Sequence, residues 1–391
     1  MRGAVTGRPA IIRAPGAGLL LALVAPLAAQ TRLATYESRY YLLHTDLDRD
    51  AVREAELRIT AMAEMYYERT RGFGGQITRK LPFYLFRRPE DYYAAGGAPG
   101  TAGIYDGQKL MAIAGAETGE ATWHIIQHEG FHQFIHAFIG GDVPIWVNEG
   151  LAEYFGQSIY TGDGYVTGVI PPPRLARLRG WMQAGKVKTI QEMMKTSHAA
   201  WNADLSAANY DQAWSMVHFL AHAEDGRYQP ALNGFIKDVS RGMAWEHAWR
   251  NNFGTGTREF EEKWRRYWLG LPASPTAELY AKATVATLTS FYARAFSQQQ
   301  VFGTFEEFRA AAQTGRLKCH PDDWLPPGLL KEALGQVEAV GRWQVERQTT
   351  GYALVCTMSD GTRLSGTFKV SGRRVSPGSV RVAISRAPAR P

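Results

Sequence analysis

The stretch HEGFHQFIH, residues 128 to 136, constrains the fold of this chain more than any other segment. Residues four apart lie one turn apart on the same face of an α-helix, so His128 and His132 would present their imidazoles to one point in space. This spacing suits two nitrogen ligands of one zinc ion. In the pattern H-E-x-x-H, Glu129 stands where a carboxylate takes a proton from metal-bound water. The stretch therefore predicts a helix that carries part of a metal site.

A third ligand is needed, and the other histidines of this helix do not supply it. A histidine six residues after His132 would complete another known zinc arrangement, but Phe138 occupies that position. His124 and His136 continue the four-residue spacing, yet a straight helix spreads the set over about 18 Å of its axis, too far for one tetrahedral ion. We expect His124 and His136 to be neighbours of the site, buried or hydrogen-bonded behind the ligands.

Glu149 is the best candidate for the third ligand. Sixteen residues lie between His132 and this glutamate of WVNEGLAEYF, and the GGD segment at 140–142 allows a turn between the first helix and a second that starts near Pro144. Two histidines and one glutamate leave a fourth position open for water, as in catalytic zinc sites. Glu153, one turn further on, is placed to accept a ring N–H from a ligating histidine. The alternative is a stripe of solvated carboxylates.

A second histidine pair, His218 and His222, also stands four apart, in HFLAH. No acidic residue near this pair is predicted to act as a third ligand. We therefore expect it to pack between helices or to lie at the surface, and not to bind metal.

The chain of 391 residues exceeds the usual size of one hydrophobic core, and its segments differ in character. Residues 1–29 combine three arginines with the apolar run LLLALVAPL and indicate a signal peptide, with an uncleaved anchor as the alternative. We therefore expect an exported protein, periplasmic or secreted. Residues 30–270 would form the main domain, 271–315 a linker and helical segment, and 316–391 a β-rich module.

The module at 316–391 is basic, with twelve Lys and Arg against six Asp and Glu. It could contact an anionic cell-surface polymer, although an ordinary solvated face is the simpler interpretation. No nucleic-acid-binding motif accompanies the charge, so no nucleic-acid partner is expected. The module also holds the two cysteines of the chain, Cys319 and Cys356, and export would permit a disulfide between them.

Hydrophobic periodicity predicts an α+β fold. Strands are expected at 38–45 and 81–86 with a helix between them, and LMAIAGA at 110–116 should form a hairpin with the preceding AGIYD. From Glu120 the chain is predicted to be mostly helical to about Leu269. Segments of alternating polarity after residue 341 then predict a small antiparallel sheet.

The segments HEGFH and WVNEGLAEYF together resemble the gluzincin metallopeptidases, in which a glutamate in an N-E-G-x-A segment is the third zinc ligand. The chain is most similar to the peptidase-MA-like group of exported bacterial proteins of unassigned substrate, over residues 38 to 269. The resemblance implies a zincin-like domain built from a small mixed sheet, the histidine helix and a mostly helical second half. It also implies zinc held by His128, His132 and Glu149, with Glu129 as general base and then as acid for the leaving amine.

The same resemblance places Tyr210 where relatives offer a phenol to the tetrahedral intermediate; a core aromatic beside Trp214 and Phe219 is the alternative. It implies that a peptide pairs with an exposed edge of the strand at 110–116, unless that strand is fully paired within the sheet. The implied function is zinc-dependent hydrolysis of peptide bonds in a peptide or protein substrate, with zinc-bound water activated by Glu129. A secreted binding or adhesion protein on the same scaffold, or a zinc amidase acting on the cell wall, are the alternatives. The oligomeric state is left open.

Overall fold

The computed structural model describes residues 32–73, 77–115, 119–139, 143–254, 256–349, 351–371 and 374–384. The signal peptide predicted at 1–29 and the turn predicted at 140–142 lie outside the described residues. Within these ranges no helix is long and apolar enough to cross a membrane.

The first part of the chain forms a five-stranded mixed sheet with helices between its strands. In chain order its elements are β1 (Ala34–Glu37), β2 (Tyr41–Thr45), α1 (Arg49–Arg69), β3 (Leu81–Phe86), α2 (Pro89–Ala94), β4 (Gly103–Tyr105) and β5 (Leu110–Ile113). The strand order is β1-β2-β3-β5-β4; β2, β3 and β5 are parallel, and the two outer strands are antiparallel to their neighbours. The predicted strands and hairpin are confirmed, whereas β1 was not predicted.

The strand at 110–116 does not offer a free edge at its described β residues, which corrects the expectation that a substrate pairs with it. β5 is bonded to β3 on one side and to β4 on the other. Its residues Leu110, Met111 and Ala112 are completely buried, as expected for a continuous apolar run inside a sheet that is covered on both faces. The edge strand is β4, whose Ile104 and Tyr105 are only partly buried.

A mostly helical segment follows the sheet. Its elements are α3 (Glu120–Ile139), α4 (Ile145–Gly156), the short hairpin of β6 (Ile159–Tyr160) and β7 (Tyr165–Val166), α5 (Pro172–Gln183), α6 (Ile190–Lys195), α7 (His198–Ala203), α8 (Ala207–Gly226), α9 (Gln229–Ser240), α10 (Trp245–Phe253) and α11 (Thr257–Gly270). Helix α4 lies between α3 and α8, and its residues are buried except for the three polar ones, Asn148, Glu149 and Glu153. Helical dihedral angles are interrupted at residues 223–225 of α8.

The C-terminal part combines four helices with a second sheet. Its elements are α12 (Ala277–Ser297), α13 (Phe305–Gln313), α14 (Pro327–Gly335), α15 (Val337–Val340), β8 (Arg342–Gln348), β9 (Gly351–Thr357), β10 (Thr362–Ser371), β11 (Arg374–Pro377) and β12 (Arg381–Ile384). All strand pairs of this sheet are antiparallel, and α12 packs against it. The predicted α+β class with a small antiparallel C-terminal sheet is therefore confirmed; β11 was not predicted.

Buried apolar side chains form separate clusters along the chain. The largest cluster runs from Tyr41 to Trp268, and two others lie between Ala281 and Val380. The division falls near the Pro-rich segment 270–277, although the domain limits at 270 and 316 remain predictions. Arg294 of α12 joins the two parts through an ion pair of 2.8 Å to Asp163, and it also pairs at 2.9 Å with Asp323 of its own part.

Cys319 and Cys356 are not joined, so the disulfide that export would permit is not formed. Cys356 is fully buried on the face of β9 that packs with Leu364 and α12. Cys319 is exposed in the connection after α13. The two thiols therefore face different environments.

Candidate metal centre

Helices α3 and α4 form the site by packing against each other in opposite directions. His132 of α3 contacts Asn148 near the start of α4, whereas the Gln127 side-chain amide donates to the carbonyl oxygens of Phe155 and Gly156 at its end. Gln127 is 2 % exposed, so these bonds hold the two helices together within the core. This arrangement brings Glu149 opposite the two histidines.

His128, His132 and Glu149 form a group that could hold a metal ion. The Nε2 atoms of the two histidines are 3.1 Å apart. Oε2 of Glu149 lies 3.4 Å from Nε2 of His128 and 3.5 Å from Nε2 of His132. A tetrahedral ion with bonds of about 2.0–2.1 Å separates its ligand atoms by about 3.3–3.4 Å. The three distances therefore fit one ion of zinc size equidistant from all three atoms.

The chemistry of these atoms also fits a cation. Oε2 of Glu149 is buried and has no hydrogen-bond partner in the described chain, and a buried carboxylate oxygen without a partner is costly. Its two nearest polar neighbours are imidazole nitrogens that face each other across 3.1 Å. A metal ion placed among the three would satisfy each atom. The three side chains remain 12–13 % exposed, so the centre can be reached from solvent.

The other ring nitrogens of the two histidines are held by polar partners. Nδ1 of His132 lies 2.9 Å from Oδ1 of Asn148, and Nδ1 of His128 lies 3.4 Å from Oε1 of Glu153. A proton on each Nδ1, hydrogen-bonded to Asn148 in His132 and facing Glu153 in His128, leaves the Nε2 lone pairs for a metal. Glu153 thus occupies the predicted place, while its role remains a prediction. Asn148 was missed, although it stands directly before Glu149 in the NEG segment.

Arg174 of α5 was also missed, because it lies in a separate helix. Its Nη1 bonds to Oε2 of Glu153 at 2.6 Å, and its Nε lies 2.9 Å from Oδ1 of Asp211. Burial acts to raise the pKa of Glu153, but Arg174 and then His128 outweigh it, so the pKa lies below its ordinary value. Glu153 is therefore a charged acceptor at neutral pH.

His132 and Glu149 interact strongly as an acid and a base. Burial acts to lower the pKa of His132, but the Glu149 carboxylate overrides it and raises that pKa to about 9. Burial likewise acts to raise the pKa of Glu149, but His132 followed by His128 lowers it well below its usual range. In the metal-free protein a proton therefore sits on the histidine side of the pair, and metal binding must displace it.

Glu129 lies next to the edge strand of the first sheet. Its Oε2 accepts a hydrogen bond of 2.9 Å from the backbone N–H of Tyr105 in β4. β4 passes so close to α3 that a Cβ on Gly103 would lie 2.5 Å from the Ile125 side chain. Glycine at 103 therefore permits the approach that fixes Glu129.

Tyr210 lies beside the metal group and also packs against an aromatic residue. Its ring centroid is 6.4 Å from that of His128 and 5.1 Å from that of Trp201, which meets it edge to face. The aromatic neighbour of Tyr210 is thus Trp201, whereas the sequence suggested Trp214 and Phe219. Burial, followed by the charge of Glu149, raises the pKa of Tyr210 to about 12. The phenol therefore stays protonated at neutral pH, and its catalytic role remains a prediction.

The other histidines are not in the metal group. His136 is exposed, not buried, because it lies on the open side of α3, and its Nδ1 is 2.6 Å from the hydroxyl of Tyr105. Nδ1 of His124 lies 3.3 Å from the Gln157 amide. Nε2 of His218 lies 3.0 Å from the Gly168 carbonyl oxygen, and Nε2 of His222 lies 2.9 Å from the Tyr154 hydroxyl. The expectation that this pair packs between helices is therefore confirmed.

A cleft of about 430 Å³ opens beside His132 and Glu149. Apolar side chains of Ile135, Val143 and Ile145 contribute to its lining. Polar side chains of Tyr105 in β4, His136 in α3, and His198 and Asn202 in α7 also line it. The sequence did not indicate that α7 reaches the site.

Comparison with known proteins adds one match. Residues 122–242 match a family model described as "Protein of unknown function (DUF1570)". This segment runs from α3 to the end of α9 and contains the metal group, Glu129, Arg174 and Tyr210. No curated protein matches the chain.

Proposed function

We propose that this protein is an exported zinc metallopeptidase with a zincin-like scaffold of the gluzincin type. The observation that carries the proposal is the tetrahedral spacing of the His128, His132 and Glu149 ligand atoms, with Glu129 one residue from the first ligand. Two imidazoles and a carboxylate form the ligand set of open, catalytic zinc sites. The partial exposure of all three side chains supports such a site over a closed structural one.

The residues around the centre have separate roles in the proposed reaction. Zinc, when bound, supplies a Lewis acid that lowers the pKa of water to about 7 and polarises the scissile carbonyl. Glu129 accepts a proton from the attacking water and returns it to the leaving nitrogen. Tyr210, protonated at neutral pH, donates its O–H to the oxygen that gains negative charge.

The proposed substrate is a peptide that adds to the free edge of β4. Ala102 and Asp106 bond towards β5 through Ile113 N and Lys109 O, so the alternate residues Gly103 and Tyr105 direct their backbone groups to the open side. Glu129 already occupies the Tyr105 N–H. Gly103 is buried, so the Tyr105 carbonyl is the edge group available for β-addition beside the metal group.

The proposal is tested by comparing the parent protein with Glu129→Gln, which keeps the size of the side chain and an acceptor for the Tyr105 N–H. We expect both to bind one zinc per chain. We expect the parent to cleave members of a mixed peptide library and the variant to be slower by at least about 100-fold, because a general base is removed. If both bind zinc and neither cleaves peptides, a binding or adhesion protein is favoured; cleavage of cell-wall amides alone would identify an amidase.

A further inference from the structure

One buried guanidinium joins the helices that surround the metal group. Arg174 is 6 % exposed and contacts Glu153 of α4 through Nη1 at 2.6 Å. It also contacts two consecutive residues of α8: Nε lies 2.9 Å from Oδ1 of Asp211, and Nη2 lies 3.5 Å from the carbonyl oxygen of Tyr210. The guanidinium stacks on Trp214, with its carbon 4.5 Å from the ring centroid. These contacts leave the planar group little freedom to rotate.

The two oxygens of Glu153 are divided between Arg174 and the metal ligand. Oε2 bonds to Arg174, whereas Oε1 lies 3.4 Å from Nδ1 of His128. The orientation of the carboxylate towards His128 is therefore set by its bond to Arg174. Without the guanidinium, Glu153 would be a buried charge free to turn away from the imidazole.

We propose that Arg174 is a positioning residue for the metal centre. It acts through Glu153 on the ring orientation of His128, and through Asp211 and the Tyr210 carbonyl on the placement of the phenol. This inference rests on the proposed zinc site. Loss of a group that orients a ligand typically weakens metal binding by about 10–100-fold, and we expect a loss of this size for Arg174→Gln.

Arg177 provides a matched control. It binds the same Asp211 through two bonds of 2.6 and 2.8 Å, but its side chain is 47 % exposed, and no hydrogen bond or ion pair joins it to Glu153 in the described chain. Zinc dissociation constants are measured by competition with a chelator for wild type, Arg174→Gln and Arg177→Gln. We expect Arg177→Gln to stay within about twofold of wild type. In the cobalt-substituted proteins, we expect Arg174→Gln alone to shift the visible absorption bands, because ligand geometry changes.

A double-mutant cycle with Glu153→Gln separates positioning from general stability. If Arg174 acts through Glu153, adding Arg174→Gln to Glu153→Gln changes zinc affinity little, and the two effects are not additive. If Arg174→Gln does not fold, the double variant provides the test, because it lacks the Glu153 carboxylate that Arg174→Gln leaves unpaired. A folded double variant with the same zinc affinity as Glu153→Gln supports the proposal. An unfolded double variant would show a purely structural role and overturn it.

Two further results would also overturn the inference: wild-type zinc affinity and cobalt spectrum in Arg174→Gln, or additive effects in the cycle. In either case wild type would still bind zinc, so the proposed function would stand. A wild-type protein that binds no zinc would remove the proposed function and this inference together.

Discussion

Gly150, which follows the third ligand candidate in the chain, is the position where a single methyl group should disturb both fold and site. A Cβ at 150 would lie 2.5 Å from the carbonyl oxygen of Ala213 and 2.7 Å from a methyl of Val217 in α8. Ordinary contacts begin at 3.4 Å, so Gly150→Ala requires α4 and α8 to separate by up to about 0.9 Å. The nearer atom belongs to the backbone, which cannot swing aside.

Two effects of opposite sign determine the stability of Gly150→Ala. Alanine is better than glycine in a helix interior by about 1 kcal/mol, whereas overpacking of a core costs about 1–3 kcal/mol and more when backbone must move. Because backbone must move, we place the overpacking cost of Gly150→Ala at the upper end of this range. After the gain in helix propensity is subtracted, we expect a net destabilisation of about 2 kcal/mol. In a chain of 391 residues, with an unfolding entropy of about 2.1 cal/mol/K per residue, that lowers the Tm by about 2–3 °C. Because a metal site tolerates ligand shifts of only about 0.2 Å, zinc affinity should fall as well.

The assay is thermal unfolding of the metal-free protein together with zinc competition. Gly180→Ala is the matched control, since it also lies within a helix, α5, but a Cβ there meets no atom within 4 Å. We expect this control to be as stable as wild type or more stable. A Gly150→Ala protein with undiminished stability and zinc affinity would refute the close approach of α4 and α8.

Three further predictions concern single groups. Asn148→Ala should weaken zinc binding by about 10–100-fold in chelator competition, since it leaves Nδ1 of His132 without its acceptor; unchanged affinity would contradict this role. Burial lowers the pKa of His218 to about 3 and of His222 to about 4, so the unfolded chain binds more protons below pH 6.5 and stability falls as pH falls. Between pH 6.5 and 5 we expect a loss of about 1.5 kcal/mol per histidine. Urea unfolding of metal-free His222→Phe should show a pH dependence shallower by that amount; an equal slope would contradict the assignment. Thiol titration of the native protein should modify Cys319 alone, and Cys356, with its pKa raised by burial to about 11, only after unfolding.

The parts that local patterns determine were predictable from the sequence. Helix α3 and the shared face of His128 and His132 follow from the period of 3.6 residues. The glutamate across the turn followed from the need for a third ligand and the helical pattern around WVNEGLAEYF. The hairpin of β4 and β5 followed from its turn residues.

The missed features depend on contacts between distant segments. The hairpin pattern does not say which of its strands joins β3, so the edge was assigned to β5 when it belongs to β4. Arg174 stands in a Pro- and Arg-rich stretch typical of a solvated helix, and only packing of α5 against α8 buries it beside Glu153. The position of Asn148 directly before Glu149 was a sequence signal for a place near the site. It did not define a role, because an asparagine amide can have several roles in a helix. Residues that reach a site only through tertiary contacts show little local sequence pattern.

The most direct test of the metal centre is zinc stoichiometry and affinity, measured by equilibrium dialysis, for wild type and Glu149→Ala. The distances predict one zinc per chain in wild type. They predict that Glu149→Ala weakens zinc affinity by more than about 100-fold, because removing a metal ligand weakens binding more than removing a residue that orients a ligand. A wild-type protein without zinc, or equal affinity in the two proteins, would contradict a centre built from His128, His132 and Glu149.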